Sequence, residues 1–159
     1  MTLSATDAAF IEANPSAAMI TLAPDGTAKA ARVVVAVVDG KLWSTGTVDR
    51  ARTRRVRRDP RSTLFVFAPG HAYRSIETTA TVIEGQPGID ANVRLFRILT
   101  RRPVGPIPFF GTEYDEEEFR EVLAADGRIV YEFTVLRSTG VDQVLAQAPR
   151  LDSRTRHRR

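Results

Sequence analysis

The segment Ala30–Val38 constrains this chain more than any other. It is apolar and β-branched along almost its whole length, which predicts a strand covered on both faces. It runs into Asp39-Gly40, a dipeptide suited to a two-residue hairpin whose central residues both take positive φ, and then into Lys41–Thr47 as the partner strand. A chain built around such a hairpin favours antiparallel pairing over a doubly wound parallel sheet.

The other segments agree. Ser4 is placed to cap a first helix carrying Phe10 and Ile11, which Asn14-Pro15 ends. Ala17–Ala23 reads as a strand and Pro24-Asp25-Gly26 as a turn. Asp49 is expected to cap a short helix reaching Arg58, stopped by Asp59-Pro60. Thr63–Phe67 and Tyr73–Glu84 read as strands around Pro69-Gly70. Gly88–Thr100 reads as a helix with Val93, Phe96, Ile98 and Leu99 inward. The proline-bearing stretch Arg102–Phe109 reads as a loop, and Thr112 as the cap of a helix through Ala125, with Glu116, Glu117, Glu118 and Glu121 solvated. Arg128–Leu136 alternates, with Ile129, Tyr131, Phe133 and Val135 on one face. The expected fold is mainly β with flanking helices: six antiparallel strands closed into a small barrel. One domain is expected over residues 1–148, followed by a polar, flexible tail over 149–159.

Composition removes several classes of function. With no cysteine among 159 residues, there is no disulfide scaffold, thiolate metal site or cysteine nucleophile. The longest apolar run, Val33–Val38, is far short of the roughly 18 residues of a membrane span, and the N-terminus has no secretory pattern. The expectation is a cytoplasmic protein without a membrane partner. The only histidines are His71 and His157, too few for a zinc or di-iron cluster, so no metal is expected. His71 beside Gly70 reads as a rim residue, and no side chain stands out as an acid or base. Chemistry on this chain would therefore have to be a cofactor's.

The 23 basic residues are mostly arginine, and seven arginines fall between Arg50 and Arg61. They follow Ser44-Thr45-Gly46-Thr47, where a strand ends in hydroxyl groups and a helix begins. Backbone amides, hydroxyls and guanidinium forks in that order make an anion site. The competing reading is a solvated helix in an arginine-rich coding background.

Three runs of this sequence carry a resemblance. Ala31-Arg32-Val33-Val34-Val35, Asp39-Gly40-Lys41-Leu42-Trp43-Ser44-Thr45 and Arg52-Thr53-Arg54-Arg55-Val56-Arg57-Arg58-Asp59-Pro60-Arg61 resemble the pyridoxamine-phosphate-oxidase-like split β-barrel superfamily. Within it, they are most similar to the actinobacterial flavin and deazaflavin oxidoreductases. The likeness spans roughly Ala8 to Gly140 and takes in Tyr73-Arg74-Ser75 and Arg128-Ile129-Val130.

The resemblance implies a homodimeric split barrel with a cofactor in each cleft between subunits. Arg32, Val33 and Val34 fall where the family lines the ring system, largely through backbone groups. Ser44, Thr45 and Thr47 fall where the phosphate or ribityl chain approaches. Arg52 falls on the phosphate clamp, with Arg50 and Arg55 as helpers, although Arg55 replaces a customary asparagine. His71 and Tyr73 fall on the substrate wall. The implied activity is hydride transfer between coenzyme F420, with FMN the alternative, and a small unsaturated or oxidised molecule. Residues Leu151–Arg159 do not match the substrate segment of true pyridoxamine phosphate oxidases, so vitamin B6 oxidation is not expected. Two other functions compete: a non-catalytic flavin or deazaflavin carrier, and a nucleic-acid-binding module using the arginine-rich helix. The second lacks interleaved aromatic residues for stacking.

Overall fold

The computed structural model describes residues 2–142. The expected boundary after residue 148, the tail 149–159 and His157 lie outside the described residues. Six strands form the barrel: β1 (Ser16–Leu22), β2 (Ala28–Val38), β3 (Lys41–Thr47), β4 (Arg61–Phe67), β5 (Tyr73–Ile83) and β8 (Arg128–Val141). All pairings are antiparallel, in the order β1-β2-β3-β8-β5-β4, and β4 closes back on β1. The interior is a single apolar core including Met19, Val33, Val35, Leu42, Leu64, Ile76, Tyr131 and Phe133. Burying a side chain of this size contributes about 1.5–3 kcal/mol, so this core is what holds the barrel closed.

Among the described residues four helices flank the barrel: α1 (Ala5–Ala13), α2 (Ala51–Arg58), α3 (Gly85–Thr100) and α4 (Glu116–Ala125). As expected, Ser4 caps α1, accepting from the Asp7 amide at 3.1 Å. The β2–β3 hairpin turns on Asp39 and Gly40, with φ of 50° and 77°. Outside the barrel, α3 covers Ala36, Val38, Trp43 and Val130. A third cluster packs Val93, Phe109, Phe119 and Leu123 between α3, α4 and a small hairpin.

That hairpin, β6 (Ile107–Phe109) with β7 (Thr112–Tyr114), corrects the end of the stretch Arg102–Phe109 read as loop; residues 102–106 are loop as expected. A two-stranded ribbon has only edge strands, so Pro108 costs it no interior ladder bond. Thr112 is paired with Phe109 in the ribbon and caps nothing. The α4 cap is Asp115, which accepts from the Glu118 amide at 2.9 Å while the Glu118 carboxylate reaches back to the Asp115 amide. Nor does Asp49 cap α2. Its carboxylate is taken by the Thr47 hydroxyl at 2.5 Å, and Arg50 occupies the capping position without a side-chain bond.

Ile98 is 41% exposed rather than inward; Leu95, fully buried, takes the sheet-facing position. Double coverage of β2 also holds for only half its length. On its outer face Ala36 and Val38 lie under α3, whereas Ala28, Ala30, Arg32 and Val34 are exposed.

Candidate functional site

The β2–β3 ladder contains only four pairs, Val35↔Ser44 through Val38↔Lys41. Beyond Ser44 the strands part: residues 28–34 stay paired to β1, and Thr45–Thr47 to β8. The barrel wall is therefore split along the facing edges of these two segments. At the fork the Ser44 hydroxyl donates to the Val34 carbonyl at 2.7 Å, tying the strands together where their ladder ends.

Helix α2 crosses the far end of the split. The Thr53 hydroxyl donates to the Thr47 carbonyl of β3 at 2.7 Å and lies 2.5 Å from the Tyr131 hydroxyl. On the other side Arg55 Nε donates to the Thr21 hydroxyl of β1 at 2.7 Å, and Arg58 reaches the Leu22 carbonyl. Val56 anchors the helix in the barrel core. The helix therefore spans the ends of β1 and β3, which backbone pairing leaves apart.

The seven arginines of this region do not form one charged helix face. Arg50 precedes α2 and Arg61 lies on β4, leaving five on the helix. Arg57 pairs with Glu84 at 2.6 Å and Arg61 with Asp59 at 2.7 Å. The Arg61 hydrogen bond holds the Asp59 carboxyl at about 2. Arg54 donates to the Asp49 carbonyl at 2.7 Å. Mutual repulsion is thus relieved largely by protein acceptors. Arg52 is different: its Nε is buried with no hydrogen-bond partner among the described residues, and its guanidinium carbon stands 5.8 Å from the Tyr131 ring centre. A buried donor left unmatched costs about 1–3 kcal/mol.

The remaining expected site residues divide by location. Arg32 is exposed, with Nη2 3.4 Å from the Ser16 hydroxyl. Val33 points into the core, and its backbone groups, like those of Val35, turn toward β1; Val34 points outward, is 42% exposed and turns its carbonyl toward β3. The Thr45 hydroxyl donates to Asn92 Oδ1 at 2.7 Å. Thr47, Asp49, Arg50, Ala51 and Asp126 line an open cavity of about 480 Å³. The Thr47 hydrogen bond is the main cause holding the Asp49 carboxyl below its ordinary value.

His71 and Tyr73 are not brought together with the arginines within one chain. They belong to the β4–β5 connection, at the end where β1 starts, whereas Arg55 meets β1 at Thr21. Five strand residues, about 17 Å, separate those ends along β1. Tyr73 stacks on Phe65 with ring centres 5.1 Å apart. Sequence reasoning missed Asn92, fully buried and bonded through Nδ2 to the Gly88 carbonyl at 2.9 Å. Its signal was a lone amide among the apolar residues of α3. No group of three or more His, Asp or Glu side chains positioned for a metal occurs among the described residues.

No family model and no curated protein matches the chain. Solved structures do match in fold. A conserved hypothetical protein from Mycobacterium tuberculosis is 21% identical, with a TM-score of 0.67 over 89% of this chain and 86% of the other. An F420 reductase is 16% identical, with a TM-score of 0.60 over 82% and 94%. A candidate pyridoxamine 5'-phosphate oxidase from Listeria innocua is 16% identical, with a TM-score of 0.59 over 85% and 94%.

Proposed function

We propose, from the premise that this chain has the split-barrel fold of the pyridoxamine 5'-phosphate oxidase-like proteins, that it is a flavin- or deazaflavin-dependent oxidoreductase. The observation that carries the proposal is the unmatched Nε of Arg52, on the helix that crosses the far end of the β2–β3 split. Coenzyme F420 is the first candidate and FMN the alternative. Such a group, when bound, supplies hydride transfer to an unsaturated or oxidised small molecule.

The residues fit an elongated anion with a flat, polar-edged ring. Arg52 and Arg50 would hold the phosphate. The edge of residues 28–34 that turns away from β1 offers the N–H and C=O groups of alternate residues to the ring, consistent with Arg32 and Val34 contributing main chain, whereas Val33 turns its own toward β1. Ser44 and Arg55 are already bonded to Val34 and Thr21 and act by holding the walls of the split in place, while the Thr47 hydroxyl holds Asp49 just beyond the end of β3. The chain's part is binding and orientation.

The assembled site would need a second copy. The outer face formed by β2, β1, β4 and β5 carries Val34, Phe65, Phe67 and Tyr73, with Phe67 53% exposed. This face adjoins the split along β2, so a homodimer covering it would wall the site. Nucleic-acid binding loses its motive, because α2 spends most of its guanidinium groups on protein acceptors.

The test is a visible-spectrum titration of the full chain with F420 and FMN side by side, followed by reduction and a search for substrate-dependent reoxidation. Saturable binding of either supports the reading. Binding without turnover of any substrate would make the protein a carrier. Binding of neither would overturn the cofactor assignment.

A further inference from the structure

The β6–β7 hairpin carries a residue that breaks two local rules at once. Its turn is Phe110-Gly111, flanked by the Phe109↔Thr112 pair, with φ of 45° and 83°. Both central residues are left-handed, the geometry that asparagine, aspartate or glycine ordinarily fills at the first position. A phenylalanine there is sterically disfavoured, and this one is also 84% exposed. Its one aromatic neighbour within the hairpin is Phe109, met edge to face with ring centres 4.6 Å apart, and solubility does not ask for it.

Beside it stands Arg128. Its guanidinium carbon lies 5.1 Å from the Phe109 ring centre and 5.6 Å from that of Phe110, within cation–π range of both. Its Nε donates to Asp126 at 2.6 Å, and the side chain is only 11% exposed. The Asp126 carboxylate anchors the guanidinium at Nε, and the two rings, which meet edge to face at 76°, border it on two sides. Its two Nη groups donate to no protein acceptor among the described residues. Arg128 is also the cross-strand partner of Thr47, so the two side chains share a face. Thr47 and Asp126 line the 480 Å³ cavity, a volume in the range of small-molecule sites.

We propose that Arg128 and Phe110 form a binding site for an aromatic carboxylate, outside the split and independent of the cofactor reading. The free Nη edge of a planar, oriented fork matches a carboxylate in two parallel hydrogen bonds. A ring carried by that carboxylate extends outward from the fork, beside the exposed Phe110 ring.

The test titrates the full chain with 2-naphthoate by fluorescence, using cyclohexanecarboxylate as the acid without an aromatic ring. Phe110→Asn suits the turn, so it should melt at the same temperature or higher. It should weaken naphthoate binding roughly three- to tenfold, the worth of one aromatic contact, and leave cyclohexanecarboxylate unchanged. Phe110→Leu, which keeps apolar bulk without a π face, should behave similarly. Arg52→Ala should leave naphthoate affinity untouched. No saturable binding to the wild type, or naphthoate affinity in both Phe110 variants equal to the wild type's, overturns the proposal. Loss of naphthoate binding with Arg52→Ala would place the acid in the split and overturn it too.

Discussion

Gly46 and Tyr131 interlock across the β3–β8 ladder: a methyl group on Gly46 would stand 2.6 Å from the tyrosine ring and hydroxyl. Tyr131 is fully buried, and its hydroxyl meets Thr53, the residue that fastens α2 to β3. The missing side chain on β3 thus makes room for the ring on which the position of α2, and with it Arg52, depends.

Gly46→Ala should therefore destabilise the fold by about 1–3 kcal/mol, the usual cost of overpacking a filled core. Urea denaturation measures this directly. An unchanged midpoint would mean that Tyr131 can move aside freely.

Arg52→Ala should weaken cofactor binding on the order of 10–100-fold, the equivalent of a charged hydrogen bond worth about 1.5–3 kcal/mol. Arg58→Ala removes a charge from the same helix, but that side chain is committed to the Leu22 carbonyl. Its effect on affinity should stay within about twofold, because a distant exposed charge is screened. Equal losses in the two variants would reduce the clamp to bulk charge.

The wild-type chain should sediment as a dimer at micromolar concentration, and Phe67→Asp should shift it to monomer. Phe67 is half exposed on the uncovered outer face, so a charge there disrupts association without touching the core. A wild-type monomer would refute the proposed assembly.

Acid should loosen α1 first. Burial pushes the Asp7 carboxyl up, but hydrogen bonding led by Arg74, at 2.7 Å, outweighs it and leaves the carboxyl below its ordinary value. A lowered folded-state value means that the stabilisation is complete above the unfolded carboxyl's range and is lost as pH falls through the folded one. Asp7→Asn should cost about 1.5–3 kcal/mol near neutrality and flatten the stability curve below about pH 4. Unfolding followed from pH 2 to 7 checks both. Parallel curves for variant and wild type would show that Asp7 is not the responsible group.

The parts of this architecture that depend on neighbouring residues were readable from the chain. Ser4 caps where a hydroxyl precedes helical residues, Asp39-Gly40 turns because both positions need positive φ, and alternation marks Ile129 to Val135 as one face. The parts that depend on competition between partners were not. Asp49 has the chemistry of a cap but spends its carboxylate on Thr47. Thr112 gives way to Asp115 because only Asp115 has Glu118 at the right spacing for a reciprocal bond. At the site, an anion-seeking arginine cluster was legible as composition. That Arg52 keeps an unmatched donor depends on where Thr21, Leu22 and Glu84 come to lie in space.

The fork in the barrel wall has a cost for the protein alone in solution. Residues 28–34 present a row of main-chain donors and acceptors to any passing extended segment, as the rim of an open sheet does. A chain in this condition invites strand addition by another molecule and growth into aggregates. The exposed charges of Lys29 and Arg32 along this rim act as gatekeepers against that pairing.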